Sequence, residues 1–187
     1  MNMITEAKFK YALKSMMETM PLEEINVTAL CEKCKCHRQT FYYHYQDIYD
    51  LIAAIFLNED LSSLNNAKDA KKSIRAFLTY AKGNFSFLRS TYNSAGRDLT
   101  DDFVFGKLNA KLFSLWVDDE TIGLKREGVR NLSRRFSRIL ADEIGFCMKD
   151  VKLTPERFSH YMNRFVDNAL SYLLPSLINL GKKEESR

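Results

Sequence analysis

The chain has 187 residues, 45% of them hydrophobic and 28% charged, with only three Pro and seven Gly, which suits one or two helix-rich globular domains with a real core. No run of 18 or more apolar residues offers a membrane span, and Met1–Lys8 carries no apolar secretion core. Three of the four cysteines crowd into residues 31–36, which makes no disulfide framework and points to a reducing, cytoplasmic setting; the net charge of +4 is too mild to announce a polyanion binder.

Helical periodicity dominates the chain. Phe9, Ala12, Leu13, Met16, Met17 and Met20 recur at three-four spacing, which predicts a helix from about Thr5 to Thr19, ended by Pro21. Asn26 is placed to cap a second helix reaching Cys34. A short third helix is expected near Arg38–Tyr43. Asp47 caps a fourth, with Asp50 in the position of a capping-box acid and Ile48, Leu51, Ile52 and Ile55 as its buried stripe.

Beyond Ser62 the segments lengthen. Helices are predicted at Ala70–Lys82, at Asn84–Thr91 and, after the break Asn93–Gly96, along Leu99, Phe103, Leu108, Leu112 and Trp116. Asp118–Gly123 is a connector. A long helix carries Val129, Leu132, Phe136, Ile139 and Leu140 to about Lys149. Thr154-Pro155-Glu156 starts the last helix, which Pro175 should kink. The tail 182–187 is expected to be disordered. No strand alternation is present, so the fold class is all-α.

Residues 25–45 hold the functional signal. A helix-turn-helix needs two short helices across a tight turn, so that the second can lie in the major groove. Val27, Leu30 and Cys31 can anchor the first helix, Cys34 and Cys36 fill around the turn, and Phe41 and Tyr45 hold the second. That leaves Arg38, Gln39, Thr40, Tyr42, Tyr43 and His44 to project outward, a set suited to base edges and phosphates. Residues 1–60 carry six Lys/Arg against nine Asp/Glu, yet Lys33, Lys35 and Arg38 face no acid within 33–46. Basic character is local there.

The run Arg38-Gln39-Thr40-Phe41-Tyr42-Tyr43-His44-Tyr45 resembles the recognition helix of the TetR family, and within it the dihydroxyacetone-kinase-operon (DhaS-like) regulators. The likeness extends from about Thr5 to Leu57. It implies an N-terminal helix-turn-helix domain over 1–46, a connecting helix over 47–61, and a helical-bundle regulatory and dimerisation domain over 62–181. It also implies a homodimer on double-stranded operator DNA, with affinity set by a small-molecule effector. The DNA contacts it implies are Thr28, Gln39, Thr40, Tyr42 and His44; the outward and locally basic residues Lys35, His37, Arg38 and Tyr43 complete the expected DNA-contacting set. Three positions depart from the family pattern: the usual turn glycine is Lys35, the usual capping serine is His37, and the lysine that often opens the fourth helix is Ile48.

Outside the motif, Phe77, Tyr80, Phe103, Phe113 and Trp116 are the expected effector lining, with a filled aromatic core as the alternative. Phe136, Phe158, Met162, Phe165, Ala169 and Leu173 are the expected dimer contacts, the last two long helices pairing with their copies as a four-helix bundle. Arg126, Arg130, Arg134, Arg135 and Arg138 read as a solvated helix face. No Gly-rich phosphate loop, His-Glu motif or nucleophile elbow occurs, so no enzyme and no cofactor are expected. Cys31, Cys34, Cys36 and His37 could suggest zinc, but no second ligand pair follows at suitable spacing; packing residues are expected instead, and no metal. Two alternatives stay open: a coactivator of this fold working through a protein partner, and a Cys-based redox or metal sensor.

Overall fold

The computed structural model describes residues 3–186; Met1, Asn2 and Arg187 lie outside them. Every regular element among the described residues is helical. The chain forms α1 (Met3–Met16), a 3-10 turn (Leu22–Glu24), α2 (Val27–Cys34), α3 (Arg38–His44), α4 (Ile48–Leu57) and α5 (Ser62–Asn66). There follow α6 (Ala70–Gly83), α7 (Phe85–Tyr92), α8 (Arg97–Trp116), α9 (Arg126–Lys149), α10 (Pro155–Asn168) and α11 (Leu174–Glu185), with a π-helical stretch, Ala169–Leu173, joining the last two. None of these helices is long and apolar enough to cross a membrane.

Helix starts follow cap chemistry. The Asn26 side chain accepts from the Ala29 N–H at 3.0 Å, Asp47 from Asp50 at 2.8 Å, and Thr154 from Arg157 at 3.3 Å with Pro155 at the first turn. Asp50 departs from the capping-box expectation. Its carboxylate accepts from Gln46, one residue before the cap, rather than from Asp47. In α1, Phe9, Ala12, Leu13 and Met16 are buried as the spacing requires, as is Met17 just after it, whereas Met20 is exposed beyond the helix end at Met16.

The described chain divides into two compact units. The first comprises the residues up to Asp60 together with Asn84–Thr100; the second comprises Leu61–Gly83 and everything from Asp101 onward. The segment 84–100, expected in the regulatory domain, therefore clusters with the head. Its anchors are specific: the Phe87 ring lies 5.3 Å from that of Phe56, and the Ser90 hydroxyl accepts from the Leu22 N–H.

Pro175 has no N–H to donate, and the helix widens to π geometry over Ala169–Leu173 just before it. One sequence expectation at the C-terminus is corrected. The segment Lys182–Glu185 is helical rather than disordered. The Glu185 carboxylate accepts from the Lys125 N–H at 2.9 Å, at the start of α9, and Glu184 pairs with Arg135 at 3.1 Å. Gly128 makes room for the Glu185 carboxylate, which a side chain there would strike. These partners give the tail a reason to order.

Candidate nucleic-acid interface

The helix-turn-helix is built on an aromatic core in the first unit. Phe9 of α1 meets Phe41 edge-on at 5.4 Å and Tyr45 at 6.1 Å, and Phe41 and Tyr45 touch each other at 5.6 Å. With Phe41 fully buried and Tyr45 nearly so, the 3.6-residue period turns Arg38, Gln39, Tyr42 and Tyr43 outward. Tyr43 is 85% exposed and Tyr42 50%. No core contact demands two exposed aromatics beside a cation on so short a helix.

Between α2 and α3 the chain reverses through Lys35, at φ 54° and ψ 49°. Cys36 N–H bonds back to the Cys31 carbonyl at 3.0 Å, and Lys35 N–H to Glu32 at 3.1 Å. This is a Schellman turn with a lysine where glycine is usual. His37 then precedes α3 in extended geometry and makes no side-chain cap. Arg38 lies along Tyr42: its guanidinium donates to the Tyr42 hydroxyl at 3.3 Å and sits 5.8 Å from the ring centroid. That hydroxyl also holds the Arg38 cation above its usual range.

A cleft of about 500 Å³ opens beside this pair, lined by Asn26, Thr28, Arg38, Tyr42, Asp47 and Tyr49 among others. It brings the exposed Thr28 at the start of α2 together with the outward face of α3. Ile48, where the family often has a lysine, is buried on the floor of this cleft and offers no cation. Two expected contact residues face otherwise. His44 leans back against α1, with Nδ1 3.9 Å from Glu6 and little of its side chain exposed, and Thr40 is half-buried. The outward set is therefore Arg38, Gln39, Tyr42 and Tyr43, with Thr28, Lys35 and His37 exposed nearby. Tyr49 is a cleft residue that periodicity alone did not single out. Tyr11, 76% exposed on α1, is another: it shares a second groove with Lys8, Lys33 and Lys35.

In the cysteine cluster, the Cys34 thiol donates to the Lys8 carbonyl at 3.6 Å, and among the described residues no group of three or more His, Cys, Asp or Glu side chains is placed to hold an ion.

In the second unit, the expected effector lining separates into three places. Phe77, Tyr80 and Phe103 pack on one another at 5.7–6.0 Å, Trp116 meets Phe136 at 5.7 Å, and Phe113 lies under Arg126 and Arg130 at 5.7 and 6.0 Å. Phe77, Phe103 and Trp116 fill core; Phe113 serves the arginine row. That row is more than a solvated face, since Arg135 pairs with Glu184 and Arg138 makes a bidentate pair with Asp101. Of the expected dimer contacts, Phe136, Phe158, Met162 and Ala169 are buried within their own unit, and only Phe165 and Leu173 are part-exposed. Met162 is held from inside, with its sulfur 3.8 Å from Cys147.

By sequence, the chain matches no protein-family profile and no curated protein. By structure it matches several solved regulators. The dihydroxyacetone kinase operon activator DhaS superposes with a TM-score of 0.58 at 19% identity, over 98% of this chain and 97% of its own. The fatty acid degradation regulator FadR from Bacillus halodurans gives 0.59 at 13% identity, over 86% and 93%. AlkX from Dietzia sp. strain DQ12-45-1b, a TetR family repressor, gives 0.52 at 14% identity, over 91% and 97%. The fold is that of the TetR-type regulators. In the TetR fold the α2–α3 pair is a helix-turn-helix, and the exposed residues described above lie on its second helix.

Proposed function

We propose that the chain is a transcription regulator that binds operator DNA as a homodimer, reading the major groove with α3. The observation that carries this is the outward face of α3. Arg38, Gln39, Tyr42 and Tyr43 are exposed together, on a helix fastened from behind by Phe41 and Tyr45. Arginine and glutamine side chains match the edges of guanine and adenine, and tyrosine hydroxyls and rings suit phosphate and thymine methyl. Thr28 and Lys35 are the phosphate contacts. A head with this acidic balance depends on a few placed cations rather than on bulk charge, so its salt dependence should be shallow.

Control by a small molecule is part of the same reading. It draws support from the second unit's separate core, and from two structural neighbours, the fatty acid degradation regulator FadR and AlkX, a repressor implicated in n-alkane biodegradation. Fluorescence anisotropy with DNA from upstream of the chain's own gene tests the central claim. Saturable binding that survives non-specific competitor, and is lost in Gln39→Ala/Tyr43→Ala, is the expected result. Equal affinity for unrelated DNA would overturn it.

A further inference from the structure

The α2–α3 turn places two cysteines at the two positions a Schellman turn presses together. Cys31 is the residue whose carbonyl receives the six-to-one bond, and Cys36 is the residue that donates it, at 3.0 Å. An apolar contact between these positions frequently accompanies the motif, and here the Cys31 and Cys36 side chains are hydrogen-bond partners. Here both are thiols. Cys31 is buried in the head core, while Cys36 is partly exposed and precedes α3 by a single residue, His37. Burial, and then the neighbouring Cys36 thiol, push the Cys31 thiol up to about 11. Burial likewise raises Cys34, which is turned toward the Lys8 carbonyl.

We propose that Cys31 and Cys36 form a peroxide-sensitive dithiol whose closure to a disulfide moves the start of the recognition helix. The accessible Cys36 thiolate attacks the O–O bond of a hydroperoxide, giving Cys36 sulfenic acid and releasing hydroxide or alkoxide, which takes up a proton to leave as water or an alcohol. The Cys31 sulfur then displaces the sulfenic oxygen, its proton leaving with that oxygen as water. The net change is two thiols and one hydroperoxide to one disulfide, water and an alcohol or a second water. Keeping Cys31 a neutral thiol until Cys36 is oxidised sets this order.

The consequence for α3 follows from distance. Two thiols in contact must draw in to a bond of about 2 Å. Cys31 is locked in the core, so the movement falls on Cys36 and His37. His37 has no side-chain cap to hold it, whereas the far end of α3 is fastened by Phe41 and Tyr45. Arg38, the first residue of the helix, moves with them. The effect on DNA rests on the assignment of α3 as the reading element.

Peroxide treatment of the reduced full chain, then alkylation and trypsin digestion, tests the chemistry. Cleavage after Lys14, Lys33, Lys35 and Arg38 makes a Cys31–Cys36 bond visible as fragment 15–33 linked to fragment 36–38. That pair should form, reverse with dithiothreitol, and be absent in Cys36→Ser. Amide hydrogen exchange across 37–42 should quicken in the oxidised wild type and not in Cys36→Ser. Affinity for the upstream DNA should fall about tenfold on oxidation, the scale of one lost base contact. Links through Cys34, over-oxidation of Cys36 without a link, or a link that leaves α3 exchange unchanged would overturn the proposal. A link with quickened exchange in a protein that binds no DNA when reduced would uphold the dithiol and sink the DNA assignment instead.

Discussion

Lys35 is a residue held against its own preference. At φ 54° a side chain crowds the following carbonyl, at roughly 1–2 kcal/mol for any residue but glycine. Glycine would relieve that strain but give the unfolded chain about 0.4–1 kcal/mol more conformational entropy to lose. Strain is the larger of the two, so Lys35→Gly should raise stability by about 0.5–1 kcal/mol, read as a higher urea midpoint at constant slope. It should also remove one cation, so DNA binding should weaken modestly while stability rises; affinity and stability both falling would contradict the assignment. Tyr42 tests the opposite combination. Its ring edges onto Phe41 at 5.5 Å and carries Arg38, but half of it is exposed. Tyr42→Ala should weaken operator binding by about 1–3 kcal/mol with helicity unchanged by circular dichroism. Both residues were legible in sequence: Tyr42 because an outward helical position follows from spacing, Lys35 because the family resemblance marks the turn position. His44 was not. Periodicity placed it outward, but whether Glu6 of α1 would draw it back depends on how α1 crosses α3, which no local pattern encodes.

At the scale of elements, the head is tied together by one buried carboxylate. Glu59, just beyond α4, sits 2.9 Å from Lys10 and 2.7 Å from Lys14 of α1, and Lys14 also donates to Asn84 at 2.6 Å, just before α7. Burial by itself would raise the Glu59 carboxyl, yet the hydrogen bonds and charges of the two lysines hold it below the usual carboxylate range. A lowered carboxylate contributes stability above its unfolded value and loses it as pH falls through the folded one. Lys14 works in the other direction: burial, partly offset by Glu59, holds its amine below the lysine range, and that penalty lifts only at alkaline pH. The head should therefore lose stability as pH drops below about 4. Glu59→Gln should flatten that acid limb. At neutral pH it should cost about 2–3 kcal/mol, because two part-buried cations lose their partner. Urea unfolding across pH measures both; an unchanged acid limb in the variant would place the titration elsewhere. None of this was visible in sequence. Helix existence, caps and the Thr154-Pro155 start were visible, because each is written within four residues. The ordered tail and the triple tie of α1, α4 and α7 are long-range pairings between residues that look like ordinary surface charges.

At the scale of the whole molecule, the proposed dimer depends on which stripe of a helix is already covered. Sequence periodicity finds an apolar stripe but cannot say what packs on it. Phe158, Met162 and Val166 of α10 are fully buried in their own unit, so they cannot also serve a partner. Apolar surface remains beside that stripe, where Tyr161 and Phe165 follow at the next helical positions, and on neighbouring elements. Phe146 on α9 is 67% exposed and Tyr172 in the π-helical stretch 75%, with Tyr161 and Leu180 also exposed and Phe165 part-exposed. Tyr161 stacks on Phe165 at 6.5 Å and donates to the Glu143 carboxylate, which fixes the α9–α10 surface in one shape. Exposed aromatics gathered on one unit are the surface the proposed dimer would use, and a two-fold contact with a second copy would cover them without any further partner. Linking two heads then raises affinity through effective concentration alone. Phe146→Glu and Tyr172→Glu should each give a folded monomer with weak operator binding, because the new charge is solvated in the monomer and stranded in the dimer. Met162→Glu should instead unfold the second unit, since its sulfur lies 3.8 Å from the buried Cys147. Sedimentation velocity at micromolar concentration decides between these arrangements. A wild-type monomer would remove the dimer altogether. Dimers that persist in both exposed-site variants would move the interface off this surface.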